Sequence, residues 1–208
     1  MKNLQQLIPV NALDAGGRCG SQKGSVIMEL VQKTNASLCV EIGVFKGSSL
    51  MYFIEALMKT NGFVIGIDPY YIPAFTNHIL DTYTRDIIYN VLFKEQTTLD
   101  KIHTDLIEII KSTKLDKYAK VIKTTSENAS SEFQPNSIDV LHIDGNHDEE
   151  FVTKDILLYL PLVKENGYII MDDITWEGVK KSIQAHLILK CKLIKEFADF
   201  AVYQKIDV

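Results

Sequence analysis

Val40-Glu41-Ile42-Gly43-Val44-Phe45-Lys46-Gly47-Ser48-Ser49 is the stretch on which the reading of this chain turns. The apolar run from Leu38 to Ile42 predicts a buried strand. Gly43 ends it, and apolar residues then recur at helical spacing: Leu50, Phe53, Ile54, Leu57 and Met58. A strand, a glycine turn and a helix N-terminus form the corner of an α/β sheet that cradles a cofactor. The glycines are spaced G-x-x-x-G. The dinucleotide pattern G-x-G-x-x-G is absent, and Val44-Phe45 stand where backbone would approach a pyrophosphate. Glu41 places an acid inside the strand end. A carboxylate there suits a cofactor with positive charge and no phosphate, as in the ammonium and sulfonium of S-adenosylmethionine. The plainer alternative is a tight turn whose glycines serve packing alone.

Outward from this corner, strands and helices alternate. A helix is expected from about Gly24 to Thr34, with Val26, Ile27, Leu30 and Val31 on one face. The second strand, Phe63 to Ile67, ends in Asp68-Pro69, and an acid at that tip is placed to grip ribose hydroxyls. An aromatic loop, Tyr70 to Phe75, precedes a long helical region, roughly Asp81 to Ser112. Its excess length suits a lid or a homodimer surface, or simply an elongated packing helix. Further strands are expected at Lys120–Thr124, Ile138–Ile143 and Tyr168–Met171. A helix over about Glu149–Leu160 lies between the last two, and Glu165-Asn166-Gly167 reads as a turn. Trp176 opens another helix with Val179, Ile183 and Leu187 on its buried stripe, and Trp176 itself reads as core. Cys191–Phe197 and Phe200–Gln204 predict a closing antiparallel pair. The fold class is therefore α/β, a doubly wound, mostly parallel seven-stranded sheet with an antiparallel last strand. No repeat or linker divides the 208 residues, so one domain is expected, with residues 1–23 as an arm and 70–112 as an inserted segment.

Composition narrows the function classes. The chain is 46% apolar and 24% charged, as folded globular proteins are. A net charge of −5 without a basic block argues against nucleic acid as partner. No apolar stretch is long enough to span a membrane, and the N-terminus lacks a signal-peptide core. Three scattered cysteines, Cys19, Cys39 and Cys191, give neither a disulfide framework nor a zinc site. The expectation is a cytoplasmic protein acting on a small molecule.

Ligands in such sheets bind outside the carboxyl ends of the strands. The polar residues at those ends are Glu41, Asp68, Ser126, Asp144, His147, Asp172 and Asp173. If their strands are neighbours, Asp144, Asp172 and Asp173 converge, and a hard divalent cation, magnesium or manganese, would relieve their repulsion. The alternative is separate acids facing water or capping helices, Asp173 near Trp176 for instance. His147, three residues past Asp144, is placed to act as general base, whereas His142 reads as a hydrogen-bonded core histidine. Gly145-Asn146-His147-Asp148 matches a metallophosphoesterase fragment, but the D-x-H and G-D-x-x-D that such enzymes need are absent.

Glu41 to Ser49, Gly66-Ile67-Asp68, Ile143 to His147 and Gly167 to Asp173 together resemble class I S-adenosylmethionine-dependent methyltransferases of Rossmann-like fold. The closest branch is the metal-dependent macrocin- and mycinamicin-type sugar O-methyltransferases, with cephalosporin-hydroxylase-like relatives. The likeness covers roughly residues 36 to 180. It implies S-adenosylmethionine at Glu41, Gly43, Ser48, Ser49 and Asp68; Gly47 in the same turn and Ser126 at its strand tip join them by position. It implies magnesium or manganese on Asp144, Asp172 and Asp173, and His147 as base. The expected activity is methyl transfer to a hydroxyl of a sugar or glycosylated metabolite. The rivals are a non-catalytic S-adenosylmethionine-binding partner module and a metal-dependent phosphoesterase.

Overall fold

The computed structural model describes residues 4–8, 19–71 and 95–206. Seven strands form one sheet: β1 (Leu38–Ile42), β2 (Phe63–Asp68), β3 (Ala119–Lys123), β4 (Ile138–Ile143), β5 (Val163–Met171), β6 (Cys191–Glu196) and β7 (Ala201–Lys205). Their order is β3-β2-β1-β4-β5-β7-β6. The first five pair in parallel, and β7 runs antiparallel between β5 and β6. The order reverses between β1 and β4, and ligands bind at such a switch point, outside the carboxyl ends of the strands.

Every residue of β4 is buried, which explains its unbroken apolar run: both faces of the sheet are covered. On one face lie α1 (Ser21–Lys33), α2 (Ser48–Thr60) and α3 (Gln96–Ser112), with Ile27, Val31, Leu50, Phe53, Ile54, Leu57 and Leu106 in the core. On the other lie α4 (Ser126–Ala129), α5 (Glu149–Tyr159) and α6 (Glu177–Ser182), with Val152, Ile156, Tyr159 and Val179 inward. Burying side chains of this size contributes about 1.5–3 kcal/mol each, offset by the entropy of ordering them.

Two elements differ from expectation. α1 begins at Ser21, and Gly24 lies inside it, where a Cβ would meet the Tyr52 ring of α2 at 2.3 Å. That glycine permits close helix packing and does not mark a boundary. Glu165-Asn166-Gly167 lies within β5, with Asn166 left-handed at φ 63, and the β4–β5 register shifts there, so the anticipated turn is a bulge. The long helix is observed as α3; the rest of the expected 81–112 region and most of the 70–75 loop lie outside the described residues, as do positions 9–18 of the arm. Among the described residues, no helix is long and apolar enough to cross a membrane.

Candidate active site

The glycine turn sits at the switch point because two of its residues allow what a side chain would forbid. Gly43 adopts φ 86, and a Cβ there would meet the Asp144 carbonyl at 1.9 Å. The tips of β1 and β4 are thereby drawn together. Gly47, at φ 85, leads into α2, and a Cβ there would strike Leu106 of α3. Asp68, 1% exposed, fastens the turn from the tip of β2. Its Oδ2 accepts the Val44 and Phe45 N–H groups at 3.0 and 2.9 Å, and its Oδ1 accepts the Tyr70 N–H at 2.8 Å. Burial raises its carboxyl, and these three donors oppose that shift. In this structure the expected ribose acid also fastens the turn, using three of its acceptor sites on backbone.

Beneath the turn runs a buried line of charge across four elements. Glu41 of β1, wholly buried, accepts from His142 Nδ1 of β4 through Oε1 at 2.9 Å. His142 Nε2 reaches Asp172 Oδ2 at the end of β5, 3.2 Å away, and Lys23 of α1 donates to the same oxygen. Burial works against a charged His142, but its bonds to Asp172 and Glu41 outweigh it and raise the imidazole to about 10. Burial likewise opposes charge on Asp172 and Lys23, and is likewise outweighed: His142 and Lys23 hold the Asp172 carboxyl low, and Asp172 holds the Lys23 ammonium high. Asp144 behaves oppositely. Burial and the Asp172 charge push its carboxyl well above the usual range, while His142 and Lys23 oppose that shift. Glu41 Oε2 has no hydrogen-bond partner among the described residues. An unpaired buried acceptor of this kind costs about 1–3 kcal/mol.

The expected trio of Asp144, Asp172 and Asp173 is divided. One set of ligand atoms within 4.8 Å of one another comprises His142, Asp144 and Asp172, and a second comprises Asp144, His147 and Asp173. The cause lies in the backbone: Asp173 is left-handed at φ 50, so the two neighbouring acids enter different sets. Its N–H turns back to Asp172 Oδ1 at 3.0 Å. Asp173 does not cap the next helix through its side chain; its Oδ2 lies 2.8 Å from His147 Nε2. The His147 ring stacks on Trp176, with centroids 5.0 Å apart and planes inclined by 27°. Trp176, expected in the core, is half-buried: it packs against the core and also stacks on His147. In the phosphoesterase-like fragment, Asn146 Oδ1 accepts the Asp148 N–H at 2.8 Å, an ordinary turn contact before α5.

Other expected residues lie nearby in different roles. Ser48 Oγ accepts the Cys19 N–H at 3.0 Å, and Ser49 is buried in the first turn of α2. Ser126 bonds the Asp155 carboxylate of α5, and its carbonyl accepts the Tyr159 hydroxyl at 2.7 Å. His142 is the hydrogen-bonded histidine its strand position implied. Lys23 is the member that sequence reasoning missed. A lone lysine near a helix start carries no signal until the topology brings α1 over β5.

A family model described as a methyltransferase domain matches residues 40–174, from β1 to just past Asp173. An uncharacterized protein of Acanthamoeba polyphaga mimivirus is 32% identical over 134 residues, 64% of this chain and 50% of its own length. The chain thus spans about half the length of that relative. The methyltransferase PaMTH1 of Podospora anserina, solved bound to SAH, superposes with a TM-score of 0.68 at 15% identity, covering 99% of this chain and 87% of its own. The O-methyltransferase TomG of Streptomyces achromogenes, solved with SAM, gives 0.65 at 12% identity, covering 100% and 91%. At these identities the likeness shows a shared fold, the seven-stranded Rossmann-like arrangement described above.

Proposed function

This chain belongs to the methyltransferase-domain family, and from that premise we propose that it transfers a methyl group from S-adenosylmethionine to a hydroxyl of a small molecule, a sugar or glycosylated metabolite, with magnesium or manganese beside Asp144. The observation that carries the cofactor reading is Glu41 Oε2, a fully buried carboxylate oxygen at the switch point of the sheet that lacks a donor among the described residues. The ammonium of the cofactor's amino-acid end is a donor of matching charge. Its nucleoside would extend along the tips of β2 and β3, past Asp68 and Ser126.

For the cation, the donor set fits: carboxylate oxygens of Asp144 and Asp173 in a half-exposed cluster suit a hard divalent ion that keeps several waters. S-adenosylmethionine supplies an electrophilic methyl on sulfur, and a divalent ion supplies Lewis acidity toward an acceptor hydroxyl. The chain's own residues do the rest. Glu41 orients the donor's charged end, and the turn at Gly43 sets its depth. His147 takes the proton of the acceptor hydroxyl. Asp173 Oδ2 stands 2.8 Å from Nε2 and Trp176 stacks on the ring, and together they hold the imidazole in place.

A thermal-shift panel on the whole chain tests this reading. S-adenosylmethionine and S-adenosylhomocysteine should raise Tm, and NAD should not, since a ligand stabilises by its binding free energy. Transfer of radiolabelled methyl into pooled glycosylated metabolites should follow. Stabilisation by NAD alone would overturn the cofactor, and cofactor binding with no transfer into any pool would favour a non-catalytic binding module.

A further inference from the structure

We propose that Lys23 is a tethered cation that holds Asp172 and keeps it from serving as a ligand to any divalent metal in this site. The inference rests on the reading of a metal-binding cluster around Asp144. With the left-handed backbone at Asp173, it accounts for the two sets formed by the acids at the ends of β4 and β5.

Asp172 has little capacity left. A carboxylate offers about four lone-pair sites. Its Oδ2 receives both Lys23 Nζ and His142 Nε2, and its Oδ1 receives the Asp173 N–H. Lys23 itself is only 9% exposed, and lysines are rarely buried so far without a partner. Its ammonium also lies 5.9 Å from the centre of the Phe200 ring, at the start of β7. The side chain therefore spans from α1 across the end of β5, and its head occupies Asp172 Oδ2, an oxygen that a metal shared by Asp144 and Asp172 would use. A divalent ion there would compete with the Lys23 ammonium for the same oxygen. Asp144 and Asp173 share the outer set with His147, and among the described residues no bond ties Lys23 to Asp173. A fixed positive charge thus performs at the inner acids the neutralising role that a cation would otherwise fill, and it confines any divalent ion to the outer set.

Manganese binding to the full-length chain, read by loss of the free-ion EPR signal without any turnover, tests this. With Lys23 present, Asp172→Asn should leave the manganese Kd within about threefold, whereas loss of a true ligand or its support weakens binding about 10–100-fold. Lys23→Met should tighten binding by about tenfold or more, and Asp172→Asn in that background should reverse the gain. Lys23→Arg, which keeps the charge, should match the wild type. If Lys23→Met does not fold, Asp172→Asn and Lys23→Arg decide alone. Loss of manganese binding in Asp172→Asn with Lys23 intact would overturn the inference while leaving a metal in the site. Binding that appears only in Lys23→Met would uphold the inference and remove the metal from the natural chain. Failure of Lys23→Met to change affinity, including no binding in either form, would overturn the inference.

Discussion

Asp139 and Glu41 are both buried acids within the sheet, on adjacent strands, yet they stand at opposite ends of it and are treated differently. Asp139, near the start of β4, has every oxygen in use. Its Oδ2 accepts the Ser37 N–H at 2.8 Å, the Ser37 hydroxyl at 2.9 Å and the Leu38 N–H at 3.0 Å, while Oδ1 accepts Lys164 at 2.7 Å. Glu41, near the end of β1, has one oxygen on His142 and the other without a donor among the described residues. Saturation marks an acid that the fold uses to pin strands together. A shortfall inside a well-packed core is where the proposed cofactor would supply the missing donor.

The most disruptive way to break this contrast is to remove a fully used acid from the functional end. Asp172→Ala leaves Lys23 and His142 buried with their shared partner gone, and truncating one member of a buried ionic group costs about 3–5 kcal/mol. For a chain of this size Tm should fall by roughly 10 °C in scanning calorimetry. A loss near that of a surface mutation would show that the buried line of charge contributes little to the fold.

Asp155 should have the next largest effect, and its sign is set by pH. Burial raises this carboxyl to about 6, against the Ser126 hydroxyl bond and the nearby Lys154. The native chain therefore holds a proton that the unfolded chain releases near pH 4. Stability should fall as pH rises from about 4 through about 6, by about 3 kcal/mol for this group alone. Asp155→Asn should lack that component, so urea titrations at pH 4, 5, 6 and 7 should show its stability gaining on the wild type across the window. Parallel curves for the two proteins would mean that Asp155 titrates normally.

Glu41→Gln sharpens the contrast from the binding side. The amide keeps the shape and an acceptor oxygen but removes the negative charge that the ammonium is proposed to meet. A hydrogen bond to a charged group contributes about 1.5–3 kcal/mol, so affinity for S-adenosylmethionine should drop about 10–100-fold by isothermal titration. Unchanged affinity would turn the unpaired oxygen into a packing defect.

How much of this was legible in the sequence follows the same division. β1, the glycine turn and β4 could be read from apolar runs and glycine positions, because a two-faced parallel sheet imposes those patterns locally. The acids at the strand tips could be read too, since their places follow from the strands. What each acid does could not. Asp68 stands where a ribose acid belongs, yet three backbone donors of its own turn and of Tyr70 claim it. Whether Asp172 and Asp173 act together depends on one left-handed residue and on a lysine about 150 positions earlier, and neither leaves a trace in a local pattern. Trp176 had the composition of a core residue; only the fold brings His147 beneath it.

The smallest effect is expected at the saturated acid itself. Asp139→Asn removes a charge but leaves an amide that can still accept from Ser37 and Leu38. What is lost is chiefly the bond to Lys164, whose side chain is 38% exposed and screened by water. The cost should be about 1 kcal/mol at neutral pH. Burial alone would raise this carboxyl, but Lys164 and the Ser37 and Leu38 donors pull it below the usual range. Its contribution is therefore present above about pH 4, the value in the unfolded chain, and is lost as pH falls through the lower folded value. The difference between wild type and Asp139→Asn should close in acid, opposite in sign to the Asp155 effect. Cofactor affinity, measured in the same preparations, should not move. If it dropped as far as in Glu41→Gln, the two ends of the sheet would be coupled, and saturation would no longer separate a structural acid from a binding one.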